Sequence, residues 1–145
     1  MREAKNQYAP MPGVPALREA LADKIELLYG RRYDPGTEIT VSALSAQGMG
    51  GDLLMNINRW RGQVKLAELK SDELKSAIKP LKFGEIEGQY VELFGPADAA
   101  PRKAIAGAIV IHGENAWYFK LMGDATGVEQ ERERFNAFLK SVQFK

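Results

Sequence analysis

The sequence predicts an α+β fold: an antiparallel sheet of about five strands with helices packed on its faces, preceded by an amphipathic N-terminal helix. Five runs carry strand character, at 38–44, 81–87, 89–94, 103–111 and 116–122, and the last four are joined in pairs around glycines. Two long stretches, 16–29 and 125–141, repeat apolar residues at helical spacing, and a shorter one follows Asp52. The 145 residues include no cysteine, so the fold must rest on apolar burial. A chain of this length buries roughly 70% of its unfolded surface, which fits a single domain over 1–145.

The lead-in from Tyr8 through Pro10, Pro12 and Pro15 is too proline-rich for regular structure and should be extended. Pro15 suits a helical first turn, where its missing N–H would be unpaired anyway. From Ala16 to Tyr29, Val14, Leu17, Leu21, Ile25 and Leu28 share a face, with Ala20 and Leu27 at its edges and Lys24 left to snorkel. Gly30 ends this helix, Arg31 and Arg32 suit its negative end, and Asp34-Pro35-Gly36 turns the chain into the strand at 38–44.

Gly50 and Gly51 then read as a hinge, with Asp52 as the N-cap of a short helix ending near Gly62. Leu53, Ile57 and Trp60 form its apolar stripe, and Asn58 and Arg59 point away from it. Ser71 should cap another short helix through Lys79, with Leu74 and Ile78 on one side and Pro80 as its stop. The strands at 81–87 and 89–94 are expected to meet around Gly88, and those at 103–111 and 116–122 around His112-Gly113-Glu114-Asn115. Between the hairpins, 95–101 reads as a loop. Residues 104–111 are apolar almost throughout, the mark of a central strand covered on both faces. Asp124 caps the last helix, 125–141, whose stripe is Val128, Phe135, Phe138, Leu139 and Val142, with Arg132 at its edge and Glu129, Glu133 and Arg134 outside it.

Composition excludes several functions. Without cysteine there is no thiolate nucleophile and no thiolate metal site, and the single histidine, His112, falls in a hairpin turn without a serine or carboxylate arrangement around it. No catalytic residue, cofactor or metal is therefore expected. A net charge of +1 gives no global attraction to nucleic acid, and Trp60, in phase with Leu53 and Ile57, belongs to the core rather than to a stacking surface between Arg59 and Arg61. The longest apolar run, about eight residues, is far short of the roughly 20 that span a bilayer, and the first six residues lack an apolar leader core, so a cytoplasmic location is expected. Glu85, Glu87 and Glu92, on neighbouring strands, could pair as an acid and a base, although alternating exposed positions explain them equally well. The glycines at 48, 50 and 51 could offer amides to an anion, but Asp52 already places a negative charge there. What remains is the polar edge of the short helix. Asn56, Arg59, Arg61 and Gln63 are donor-rich and could recognise a peptide, a carboxylate or a partner protein; a solvated helix face with Arg61 pairing locally explains them as well.

Two resemblances accompany this reading. Asn6-Gln7-Tyr8-Ala9-Pro10-Met11-Pro12-Gly13, Leu17-Arg18-Glu19-Ala20, Tyr29-Gly30-Arg31-Arg32-Tyr33 and Ile39-Thr40-Val41 resemble the N-terminal part of class I/II pyridoxal-phosphate aminotransferases, over residues 1 to about 43. That resemblance implies a cofactor-phosphate role for Tyr8, whereas Leu44 stands where the family places a glycine. Gly50-Gly51-Asp52-Leu53-Leu54 with Asn58-Arg59-Trp60-Arg61-Gly62-Gln63, then 117–124 and 135–142, resemble a bacterial family of unassigned function with a PsbP-like layout. Such domains are mostly non-catalytic binding or accessory modules, often at the cell envelope. The pair implies a recombined or designed chimera, with an aminotransferase-like segment at 1–37 and a sheet-and-helix part at 38–145. The expected function is non-enzymatic binding or a purely structural role, the alternative being a fragment of a pyridoxal-phosphate aminotransferase.

Overall fold

The computed structural model describes residues 15–30 and 39–144, the side chains at 15–18, 29 and 39 excepted. Among these residues, β1 (Ile39–Ser45), β2 (Lys79–Phe83), β3 (Ile86–Phe94), β4 (Lys103–His112) and β5 (Asn115–Asp124) form one antiparallel sheet in the order β1-β5-β4-β3-β2. Helices α1 (Pro15–Tyr29), α2 (Leu53–Gln63), α3 (Leu74–Ala77) and α4 (Ala125–Ser141) accompany it. The α+β class read from the sequence is the class observed. Strands β2 to β5 meander, each beside the next, and β1 lies on the outer side of β5.

The central strand is β4, and every residue from Ala104 to Val110 is buried. Alternation sends Ala104, Ala106, Ala108 and Val110 to the face covered by α4, and Ile105 and Ile109 to the face covered by α2. Three alanines on one side let α4 lie close to the sheet, where its Val128, Phe135 and Leu139 meet Phe119 and Leu121. Asp124 caps that helix by accepting the Gly127 N–H at 2.9 Å. The helix begins and ends as its pattern predicts, with Phe138 and Val142 half-buried at the rim.

Helix α1 joins the α4 side of the sheet, with Ile25 in that core and Ala22 fully buried. The expected stripe is only partly covered, because Leu27 and Leu28 are 85% and 60% exposed. The helix meets the sheet at its edge strand β1, so the buried line is narrower and rotated toward Ala22 and Ile25. Val14, the side chain of Leu17, and the 31–38 turn lie outside the described residues. Gly30 closes the helix as expected, at φ +70° and donating to the Glu26 carbonyl at 2.7 Å.

Two boundaries differ from the sequence reading. The first hairpin turns at Gly84-Glu85, where Gly84 takes φ +61°, and Gly88 lies inside β3. A Cβ on Gly88 would stand 2.8 Å from the Phe83 ring and 2.9 Å from the Ile109 carbonyl oxygen, so this glycine serves close packing and not the turn. The short helix expected from Ser71 to Lys79 shrinks to Leu74–Ala77, and Lys79 and Pro80 begin β2. Pro80 is tolerated because β2 is an edge strand, with one row of backbone groups facing away from the sheet. The second hairpin follows its expectation, with Gly113-Glu114 between the paired His112 and Asn115.

Candidate functional site

The α2 face is built on Ile57, Trp60 and Val64, which pack on Val91, Leu93, Ile105, Ile109, Ala116 and Tyr118. Trp60 meets Tyr118 edge to face, ring centroids 6.2 Å apart at 81°. The glycines before α2 are seats, not a free pivot. A Cβ on Gly50 would collide with the Ser45 carbonyl oxygen, and one on Gly51 with that of Ala46. Tyr118 donates its hydroxyl to the Gly50 carbonyl, tying this entry to β5. Asp52 caps α2 by accepting the Met55 N–H at 2.9 Å, which occupies the helix start that an anion would need.

The four polar residues singled out in the sequence do not form one edge. Asn56 is buried at 3% exposure, and its side-chain amide donates to the carbonyls of Met49 at 2.9 Å and Asp52 at 2.7 Å. It holds the glycine turn in place and is not presented to a ligand. Arg61 turns to the opposite flank of α2, where its Nε donates to the Ala67 carbonyl at 2.6 Å. Asn58 shares that flank, exchanging two bonds with the Leu69 backbone at 2.7 and 3.0 Å. The departing chain 64–69 is fastened there.

Arg59 and Gln63 remain on the β5 flank, one helical turn apart and thus about 6 Å along the axis. Arg59 is exposed and its positive charge acts on the Tyr118 hydroxyl. Gln63 accepts a bond from Lys120 Nζ at 3.1 Å. Lys120 escaped the sequence reading, although β5 alternation had put it on the α2 face between Tyr118 and Met122. Its cross-strand partners are Thr40 on β1 and Gly107 on β4, and Tyr118 pairs with Ser42. Trp60 stands directly over Gly107. Lys120 is half-buried, whereas every other lysine among the described residues is exposed. Burial lowers its pKa, and it makes no ion pair with a described residue. Tyr118 is shifted the other way, its pKa raised by burial above all.

Glu87 and Glu92 project from opposite faces of β3, and Glu85 sits in the hairpin turn, so these three carboxylates do not form an acid–base pair and the alternative reading as separate strand and turn positions holds. Glu92 instead accepts the Tyr90 hydroxyl at 2.9 Å and lies 3.9 Å from Arg132 of α4. His112 ends β4 beside the Phe144 ring, centroids 5.0 Å apart. Among the described residues no cluster of histidine and carboxylate side chains could hold a metal ion, and no helix is long and apolar enough to cross a membrane. Tyr8, the one cofactor position implied by the aminotransferase resemblance, lies outside the described residues. Leu44 does not stand in a phosphate loop; it is the sixth residue of β1, paired with Ala116.

No protein-family model matches the chain, and no solved structure matches it. A stretch of 47 residues is 51% identical to methionine aminotransferase of Escherichia coli (strain K12), covering 32% of this chain and 12% of that protein. The match supports the aminotransferase-like resemblance, and it spans only that small share of the relative's length.

Proposed function

We propose that the chain is a non-enzymatic binding module whose α2–β5 flank receives a carboxylate carried by a peptide or partner protein. The supporting observation is Lys120: a half-buried ammonium bonded to one amide oxygen and, among the described residues, in no ion pair with a carboxylate. A cation drawn out of water is stabilised by an anion brought to it, and Arg59 lies one turn from Gln63 to share the same carboxylate. Gln63 orients the amine, and Thr40 and Ser42 add hydroxyls from β1. Asn56 and Arg61 are structural in this reading. The test compares a peptide bearing a free carboxylate with its amide, followed by backbone NMR shifts. Resonances around Arg59, Gln63 and Lys120 should move for the acid alone, and Arg59→Ala or Lys120→Met should abolish the response while Arg61→Ala preserves it. Equal responses to acid and amide would refute it.

A second reading rests on the 47-residue identity. It takes the start of the chain as an aminotransferase fragment, joined between Glu38 and Gly48 to a PsbP-like sheet, in a recombined or designed chimera. Incubation with pyridoxal phosphate tests its enzymatic form through Tyr8. Cofactor binding that survives Tyr8→Phe unchanged would remove that form.

A further inference from the structure

We infer that residues 142–144 are a displaceable strap, and that the aromatic cluster beneath them is a docking site for an extended segment of the pattern aliphatic, any residue, aromatic. The strap is the stretch that follows α4. That helix closes at Val142, whose backbone is extended at φ −70° and ψ 129° and whose N–H donates to the Leu139 carbonyl at 3.2 Å. Val142 and Phe144 both pack on the α4-side core while Gln143 between them is exposed. That is the alternation of an extended segment laid on a surface.

The cluster lies where the two hairpins turn. Phe83 ends β2, His112 ends β4, and Trp117 stands just inside β5. The centroid of the Phe144 ring is 6.1 Å from that of Phe83, 5.0 Å from His112 and 5.7 Å from Trp117. It meets Phe83 and Trp117 edge to face, at 65° and 62°, an arrangement in which rings attract beyond the area they bury. The walls have supports of their own. Phe83 stacks on Phe119, centroids 5.6 Å apart, and lies close against β3 because Gly88 carries no side chain to hold it off. Val110, the cross-strand neighbour of both Gly88 and Trp117, is buried between them on the same face.

The strap is held more lightly. Among the described residues, the hydrogen bond that fastens 142–144 is the Val142 N–H just named, and it belongs to the helix end. Phe144 is half-buried, whereas Phe83 beneath it is 2% exposed. Two side chains and the tether to α4 therefore keep the strap in place. A partner segment with the same spacing offers the same two side chains and competes only against the local concentration that the tether supplies. The chain thus covers its own docking site, on the face of the sheet opposite Lys120, and this inference is independent of the carboxylate reading.

The experiment uses the full chain with fluorotryptophan at its two tryptophans, followed by fluorine NMR. Trp117 reports the cluster, and Trp60, on the other face, reports the fold. Phe144→Ala should move the Trp117 resonance and leave that of Trp60 in place. Acetyl-Val-Gln-Phe amide should then return Trp117 toward its parent position in a saturable way, and acetyl-Val-Gln-Ala amide should not. With fluorophenylalanine in the peptide as the second reporter, the parent should need at least about tenfold more peptide than the variant for half-saturation, since Phe144 must first be displaced. A Trp117 resonance indifferent to Phe144→Ala, no return with the phenylalanine peptide, an equal return with the alanine peptide, or equal affinity of parent and variant would each overturn the inference. A Phe144→Ala chain in which Trp60 also moves to its unfolded position would overturn it too, because Phe144 would then be a member of the core and not a removable cover.

Discussion

The indole of Trp60 fills the space that a side chain at position 107 would need. A Cβ on Gly107 would stand 2.8 Å from the ring's Cη2 and 3.0 Å from its Cε3. Glycine in a strand interior is normally a weakness, but here it is the recess into which α2 sinks its largest side chain. Lys120 is the cross-strand partner of Gly107, beside this recess. Gly107→Ala should therefore cost about 1–3 kcal/mol through overpacking, with a change in tryptophan emission as the ring is displaced. Denaturant unfolding checks the first effect, and an unchanged midpoint would mean that α2 can retreat freely.

Asn56 and Arg59 separate structure from recognition on one helix. Removing the Asn56 amide takes its two bonds from the carbonyls of Met49 and Asp52; the Asp52 carbonyl keeps the Asn56 N–H at 3.1 Å, but the link to Met49 is lost, at a cost of about 1–3 kcal/mol. Asn56→Ala should fall in that range, whereas Arg59→Ala, at an exposed position, should stay within about 0.5 kcal/mol. Thermal unfolding of the two variants checks this. A costly Arg59→Ala would show that Arg59 holds the fold and is not available to a ligand.

These contrasts also show how far the sequence could be read. The last helix was legible to its ends because Asp124, the Phe135–Leu139 stripe and the capping geometry all agree. Gly88 misled because glycine marks both turns and close approaches, and only the facing Phe83 ring and Ile109 backbone decide between them. Pro80 misled because a proline that stops a helix is also a proline that suits an edge strand. At the candidate site, helical phase correctly placed Trp60 in the core but could not say which flank Arg61 would take. That choice follows from the returning chain at Ala67 and Leu69, which offers backbone groups on one side only. Lys120 went unnoticed because a lysine within an apolar strand looks like an ordinary exposed position until the covering helix is placed.

Helix α1 anchors through a narrow line. Ile25→Ala should cost about 2–5 kcal/mol, since the side chain is 7% exposed within the α4-side core. Leu28→Ala, at 60% exposure, should change stability by less than about 0.5 kcal/mol. Equal effects would indicate that α1 is an appendage rather than a covering of the β1 edge.

The clamp formed by α4 should be the costliest to loosen. Phe135 is 7% exposed and Leu139 is fully buried, so Phe135→Ala should cost about 3–5 kcal/mol and Leu139→Ala about 2–5 kcal/mol. Glu129→Ala, on the exposed face of the same helix, is the control. Urea midpoints that do not separate the two core variants from this control would contradict the packing.

The buried amine gives the protein a pH signature of definite sign. Because the folded pKa of Lys120 is lowered by burial, the unfolded chain binds more protons between that value and the unfolded lysine value of about 10.4. The contribution of Lys120 to stability therefore rises with pH across this window, and below it the full desolvation cost is carried by the folded state. Tyr118 and Tyr90 act in the opposite sense, since burial raises both. Above about pH 10 the unfolded phenols lose protons that the folded ones keep, so ν_U − ν_N is negative: stability from these groups is fully present below that pH and declines with further alkalinity until the folded phenols ionise as well. Lys120→Met removes the first contribution alone. The variant should be more stable than the parent at neutral pH, with the difference shrinking as pH approaches about 10.4. Urea unfolding of both proteins from neutral to alkaline pH checks this, and parallel profiles would mean that the Lys120 ammonium is as well solvated in the folded chain as in the unfolded one.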